Sequence, residues 1–148
     1  MSQVKFIIRN LHENDCNFIS SLCGQLGYPS TESEVMIRIK DIIKRESHQV
    51  FVAETIDKKV VGWVHVHIYP LLECDLMAEI GGLVVDRDYR RMGIGTELMK
   101  HAEDWAKSKG CSMVNLRSNV IRKEAHILYE SIGYVKIKQS YTFRKIIL

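Results

Sequence analysis

Apolar residues along the chain recur with two different spacings, and the switch between them marks out the elements. Val4 to Arg9 is rich in β-branched and aromatic residues and predicts a first strand. Asn14 or Asp15 is placed to cap a helix running to about Gly27, with Leu22 and Leu26 on one face. Pro29-Ser30-Thr31 opens a second helix, whose Val35, Met36, Ile39, Ile42 and Ile43 recur at helical spacing. Gln49 to Thr55 and Val60 to Tyr69 read as a hairpin across the turn Asp57-Lys58-Lys59. Pro70 to Asp75 is expected to be a loop. Met77 to Val85 follows as a strand with Gly81-Gly82 in its middle. Gly93 to Lys109 carries Ile94, Leu98, Ala102, Trp105 and Ala106 on one stripe and predicts an amphipathic helix stopped at Gly110. Ser112 to Arg117 reads as a strand and Ile121 to Ile132 as a helix stopped by Gly133. Tyr134 to Lys138 and Tyr141 to Ile147 read as a closing pair of strands. The order β-α-α-β-β-β-α-β-α-β-β predicts one α/β (α+β) domain over residues 1–148, with a mixed, mostly antiparallel sheet flanked by helices.

Composition narrows the classes. The chain has 148 residues, enough for one real core, and 46% hydrophobic with 26% charged residues is ordinary for a soluble domain. A net charge of +3 is too small to argue for nucleic acid, though it suits a small polyanionic ligand. No stretch has the apolar length to span a membrane, and Met1-Ser2-Gln3-Val4-Lys5 lacks the apolar core of a leader, so a cytoplasmic protein is expected. Cys16, Cys23, Cys74 and Cys111 form no CxxC pair and have no histidine at metal-finger spacing; they are expected to be reduced, mostly buried thiols, and no metal site is expected.

The segment Arg90-Arg91-Met92-Gly93-Ile94-Gly95-Thr96 changes the picture because of where it falls. It follows the apolar strand residues Leu83, Val84 and Val85 and opens the long helix. The first turn of a helix presents N–H groups without intrahelical partners and the positive end of the dipole, which together make an anion site. Gly93 and Gly95 let a phosphate approach the backbone, Arg90 and Arg91 supply charge and forked donors, and Thr96 offers a hydroxyl. A dinucleotide fingerprint would need a third glycine where Leu98 stands, directly after the first strand. A P-loop would need Gly-Lys-Ser or Gly-Lys-Thr, which does not follow.

Leu83 to Gly95 resembles the central motif of the GNAT superfamily of acyl-CoA-dependent N-acetyltransferases. In that motif Arg or Gln, two variable residues, Gly, one variable residue, and Gly or Ala follow a strand. Arg90, Gly93 and Gly95 take the three defining places. Asn119, Ala125, Tyr129, Gly133 and Tyr134 match the superfamily's downstream segment, and the element order agrees over essentially the whole chain. The resemblance implies acetyl-CoA as co-substrate. Its pantetheine arm would pair with the backbone of Leu83, Val84 and Val85 where that strand splays from its neighbour at a bulge. Its pyrophosphate would lie on Arg90, Arg91, Met92, Gly93, Ile94, Gly95 and Thr96, and Asn119 would contact the pantetheine or acyl region. Tyr129 matches the tyrosine that acts as general acid toward the departing thiolate; from its residues alone it reads as a core aromatic beside Ala125, Leu128 and Ile132, and the resemblance favours the catalytic role. Full proton transfer from a phenol (pKa about 10) to a thiolate (about 8.5) is uphill by roughly 2 kcal/mol, so a hydrogen bond to developing charge is the expected role.

The acceptor ammonium, with a pKa of about 10.4, must lose a proton before it attacks. Glu79 is the first candidate for a water-relayed general base, and His65 and His67, on one face of their strand with Trp63, come second. Each of the three is also compatible with an ordinary surface role. Glu73, Asp75 and Glu79 stand in a short stretch; gathered at the acceptor site they would favour a cationic small-molecule amine. A narrower resemblance, in Glu79-Ile80, Leu83 to Val85, and Ser118-Asn119 through Arg122, His126 and Tyr129, is to aminoalkylphosphonate N-acetyltransferases, which usually carry a second acidic residue where this chain has Gly82. A protein or peptide N-acetyltransferase and a non-catalytic acyl-CoA sensor share the same motifs. The resemblance also allows a homodimer through the last strands, for which Ile146-Ile147-Leu148 would serve, as they would in a core-packed strand.

Overall fold

The structure, a computed structural model, describes residues 4–148; Met1-Ser2-Gln3, part of the segment read for a leader, lies outside the described residues. Its strands are β1 (Phe6–Asn10), β2 (His48–Thr55), β3 (Val60–Leu71), β4 (Cys74–Val85) and β5 (Val114–Leu116). Its α-helices are α1 (Cys16–Leu26), α2 (Glu32–Ile42), α3 (Ile94–Ser108) and α4 (Lys123–Ser131). Helix ends follow the local chemistry. Thr31 and Glu34 form a reciprocal capping box at the start of α2. Gly27, in the left-handed region at φ 99°, ends α1.

The sheet runs β1-β2-β3-β4-β5, antiparallel throughout except for the parallel pair β4–β5. One face is covered by α3: Gly62, Val64 and Val66 meet Ile94, Leu98, Met99 and Ala102 in an all-aliphatic layer, with Val64, Val66, Leu98, Met99 and Ala102 wholly inaccessible. The other face meets α1 and α2 through Val50, Val52, Val84 and Trp63, packed on Ile19, Leu22, Leu26, Val35 and Ile39. Beside this second core, the Arg9 guanidinium forks onto Asp15 at 2.8 and 2.9 Å and reaches Glu54 at 2.9 Å. Burial alone would raise the Asp15 carboxyl, but the Arg9 fork and the His12 amide outweigh it and hold the group below its usual range.

Two expectations are corrected. The loop expected over Pro70 to Asp75 is only a tight turn at Leu72-Glu73: β3 continues to Leu71 through an irregularity that takes up Pro70, where a missing N–H costs least. The closing strands expected over Tyr134 to Lys138 and Tyr141 to Ile147 do not form among the described residues. Their alternation is real, but Val135, Ile137, Tyr141, Phe143, Ile146 and Ile147 are all exposed, and no ladder partner supplies the hydrogen bonds that make an extended segment a strand. The chain divides by its internal contacts into a unit ending at Arg117 and a smaller unit, Ser118–Leu148, which holds α4.

Candidate active site

β4 is the element around which the candidate residues of the larger unit are arranged. Its register against β3 runs from Ala78 opposite Ile68 to Ile80 opposite Val66, then skips Gly81 and resumes with Gly82 opposite His65. Gly81 is thus the extra residue of a β-bulge. Its neighbour β5 pairs only with Ala78, Glu79 and Ile80. Beyond the bulge, Gly82 to Val85 pair with β3 on one side and with no strand on the other among the described residues. The ladder with β5 therefore stops at the residue before the bulge. Leu83 and Val84 bury their side chains while one backbone edge stays open, the arrangement by which an extended ligand adds to a sheet.

The open edge leads directly into the anion segment. A single 3-10 turn over Arg87–Tyr89, capped by the Asp86 carboxylate on the Asp88 amide at 2.9 Å, carries the chain to Arg90. Arg91 (φ 62°) and Gly93 (φ 83°) are both left-handed. For Arg91 that conformation costs about 1–2 kcal/mol, a local strain of the kind found where backbone amides are shaped to a ligand. Gly93 is the N-cap of α3 and offers no side-chain cap, so the first amides of the helix are left for another acceptor. Arg90, Arg91, Met92 and Thr96 are exposed, while Ile94 is buried and anchors the turn. The Arg90 Nε donates to the Val85 carbonyl at 3.1 Å, tying the arginine to the end of β4.

Glu79, His65 and His67 come together on the face of the sheet that α1 and α2 leave uncovered at one end. His67 Nε2 lies 3.5 Å from Glu79 Oε2, and Arg117 Nε lies 3.2 Å from Glu79 Oε1 as an ion pair. His48, not singled out in the sequence, completes the group: its Nδ1 is 2.9 Å from His65 Nε2, and its ring stacks on His67 at 5.1 Å between centroids. Burial pushes the His65 imidazole down to about 4, helped by the neighbouring His48 and His67, and burial also lowers His48. Counting the hairpin register back from the Asp57-Lys58-Lys59 turn does not find His48, because an irregularity at Ala53/Glu54 shifts the pairing by one residue before His48 meets His67. Arg117 could not be found that way, since it lies just past a strand that arrives through a parallel crossover.

The three acidic residues whose gathering would favour a cationic amine stand apart. Glu73 sits at the tip of the hairpin turn, and Asp75 lies four residues from Glu79 on the same strand, roughly 13 Å away at about 3.4 Å per residue. Glu79 is joined instead by an arginine and a histidine. Gly82 now has a steric reason: a Cβ there would lie 2.7 Å from the Trp63 ring, whose buried Nε1 has no hydrogen-bond partner and which is therefore held by packing. An acidic side chain at 82 and a tryptophan at 63 exclude one another.

In the smaller unit, Tyr129 is buried at 7% exposure, edge-on to Tyr134 at 6.2 Å. Burial raises its phenol above the usual value against an opposing effect of Arg122. Asn119 is exposed, and its Oδ1 accepts from the Ile121 amide at 3.1 Å, forming the turn that enters α4. His126 and Ser118 are joined at 3.1 Å. The four cysteines are free, with Cys16 buried and the others half-buried. Among the described residues no cluster of His, Cys, Asp or Glu could hold a metal ion, and no helix is long and apolar enough to cross a membrane.

A bulged strand, with one edge that no described strand pairs, runs into an uncapped helix start flanked by arginines, an arrangement whose free amides and positive charge suit an anion. The chain belongs to the acetyltransferase (GNAT) family, whose model matches residues 13–134. It is 35% identical over 111 residues to the probable N-acetyltransferase camello of Xenopus laevis, covering 74% of this chain and 50% of that protein. It is 34% identical over 84 residues to the aminoalkylphosphonate N-acetyltransferase of Salmonella typhimurium, covering 56% and 53%. The chain thus spans about half the length of these two relatives. Among solved structures, glucosamine-6-phosphate N-acetyltransferase from Arabidopsis thaliana superposes with a TM-score of 0.79 at 27% identity, over 95% of this chain and 99% of that one. The aminoglycoside 6'-N-acetyltransferase AAC(6')-Iy in complex with CoA superposes with a TM-score of 0.85 at 17% identity, over 97% of both chains, a likeness of fold.

Proposed function

We propose that this chain is an acetyl-CoA-dependent N-acetyltransferase that acetylates a primary amine of a small molecule, with residues 1–148 forming one catalytic domain. The observation that carries the reading is the bulge at Gly81, which ends the pairing with β5 and opens the edge of Leu83 to Val85 immediately before the uncapped start of α3. The family model runs across both units of the chain, which supports a single domain. Support for acetyl-CoA as co-substrate comes from the family and from the fold shared with a structure that holds CoA.

In this reading the pantetheine arm hydrogen-bonds to the backbone of Leu83, Val84 and Val85. The pyrophosphate takes the amides of Gly93 to Thr96 and the guanidinium groups of Arg90 and Arg91. Asn119 contacts the pantetheine or the acyl region. The amine nitrogen attacks the thioester carbonyl directly, and the C–S bond breaks as the C–N bond forms. Tyr129 donates a hydrogen bond to the departing sulfur. Its raised pKa keeps the phenol protonated at neutral pH, so it stabilises charge without surrendering its proton, and the proton that ends on the thiol comes from the new amide nitrogen. Glu79, paired with Arg117, takes the acceptor's proton through water. Because Glu79 shares its site with a guanidinium, and Glu73 and Asp75 stand apart, the acceptor need not be a polycation, and phosphorylated or phosphonate amines fit the same balance. The outer faces of the last residues, Val135 to Leu148, support a homodimer through that segment.

The experiment is thiol release from acetyl-CoA with spermidine, glucosamine 6-phosphate, aminomethylphosphonate and neamine as acceptors, beside a peptide with a free N-terminus. Turnover of one of the small amines is expected. Tight acetyl-CoA binding without turnover of any acceptor would make the protein a sensor, and turnover of the peptide alone would make it a protein acetyltransferase.

A further inference from the structure

The histidine group has two ends, and they open on different places. At one end, His65 Nδ1 lies beneath the bulge. A Cβ on Gly81 would stand 3.4 Å from that nitrogen, so the missing side chain leaves it approachable from the open edge of β4. At the other end, His48 lines a cavity of about 360 Å³ beside Arg45, Glu46, Gln49 and Lys109. Between the two ends runs the 2.9 Å contact of His65 Nε2 with His48 Nδ1. His67, stacked on His48 and 3.5 Å from Glu79, fixes the ring that completes the path. We propose that His65 and His48 form a two-imidazole wire that carries the proton of the acceptor ammonium from the bulge to the cavity and so to solvent. The wire rests on the reading that acyl transfer takes place at the bulge.

Both rings are suited to passing a proton without keeping it. The groups facing His65 are His48 and His67; those facing His48 are His65, His67, Arg45 and Asp41. Burial and the neighbouring histidines keep both imidazoles neutral at pH 7, so each has one N–H and one lone pair. The proton that Glu79 takes from the ammonium through water passes on through that water to His65 Nδ1. The proton on His65 Nε2 passes to His48 Nδ1, and His48 Nε2 releases its own to water in the cavity. The amine loses one proton, solvent gains one, and both rings change tautomer. After product leaves, the opposite passage restores them: His48 Nε2 takes a proton from cavity water, its Nδ1 proton returns to His65 Nε2, and His65 Nδ1 releases one to water in the emptied site. His65 receives the proton that Glu79 relays and His48 acts through His65, so both are positioning and relay residues.

His48→Ala tests the wire, with the small amine of the panel that wild type turns over fastest. With that ammonium acceptor at pH 7.5, kcat is expected to fall about tenfold or more, while KM for acetyl-CoA is unchanged. Added imidazole should restore part of the loss by entering the space beside the cavity. Hydroxylamine, already neutral at that pH, should be acetylated at the wild-type rate, which a merely structural role for His48 would not allow. Nitrogen-detected NMR of the wild-type histidines at pH 6 should show His65 with a single ring proton. Wild-type turnover with an unaltered His48→Ala rate, or His65 carrying two ring protons at pH 6, overturns the wire alone. Absence of acetyl-CoA turnover by wild type overturns the acyl-transfer reading and the wire with it.

Discussion

The two faces of the sheet are built from the same strands and do opposite things. On the α3 face, Val64 and Val66 of β3 and Leu98, Met99 and Ala102 of α3 are all wholly inaccessible. On the other face, the intervening residues of the same strand are Trp63, His65 and His67, and the aliphatic cover of α1 and α2 ends where the histidines begin. Strand alternation makes the division possible, since each residue of β3 is committed to one face. The dry face fixes the strands in place. The other face can then carry buried titratable groups at a cost the first face offsets.

The largest expected effect breaks the dry face. Leu98→Ala should lower unfolding free energy by about 2–5 kcal/mol, because the side chain is wholly inaccessible and its removal leaves a cavity against Val64 and Gly62. Urea denaturation measures this.

The histidine face should instead answer to pH. The folded His65 value, about 4, sits below the unfolded value near 6.5, so the unfolded chain takes up the proton first as pH falls. Stability present above about 6.5 should decline by up to about 3 kcal/mol by pH 4, and His65→Gln should flatten that slope. Asp15, held low by Arg9, adds its loss only below the ordinary carboxylate range, which separates the two windows.

A smaller effect sharpens the boundary between the faces. Gly82→Ala places a methyl group against Trp63 and should cost about 1–3 kcal/mol, and Trp63→Leu in the same chain should recover part of it. Equal losses with and without Trp63 would mean that the ring is not what keeps position 82 bare.

How far these features were legible depends on whether their cause is local. Arg90, Gly93 and Gly95 were readable because a helix start is defined by adjacent residues. The β4 bulge was implied by a resemblance that the register then bore out at Gly81. His48 and Arg117 were missed because their partners lie across strands, and composition along one segment does not hold that information. The closing strands failed for the converse reason. The alternation from Val135 to Ile147 tells which way side chains face, whereas a strand also needs a neighbour. The tight Leu72-Glu73 turn was read too long because Pro70 signals a break in pairing and not the end of a strand.

The central claim is that the open edge of β4 and the start of α3 hold acetyl-CoA. Calorimetric titration of acetyl-CoA into wild type and into Arg90→Ala/Arg91→Ala tests it most directly. The account predicts one site per chain in wild type, with affinity lowered at least tenfold in the double variant and its thermal unfolding unchanged, since both side chains are exposed. Absence of binding to wild type, or equal affinity in the two proteins, would contradict it.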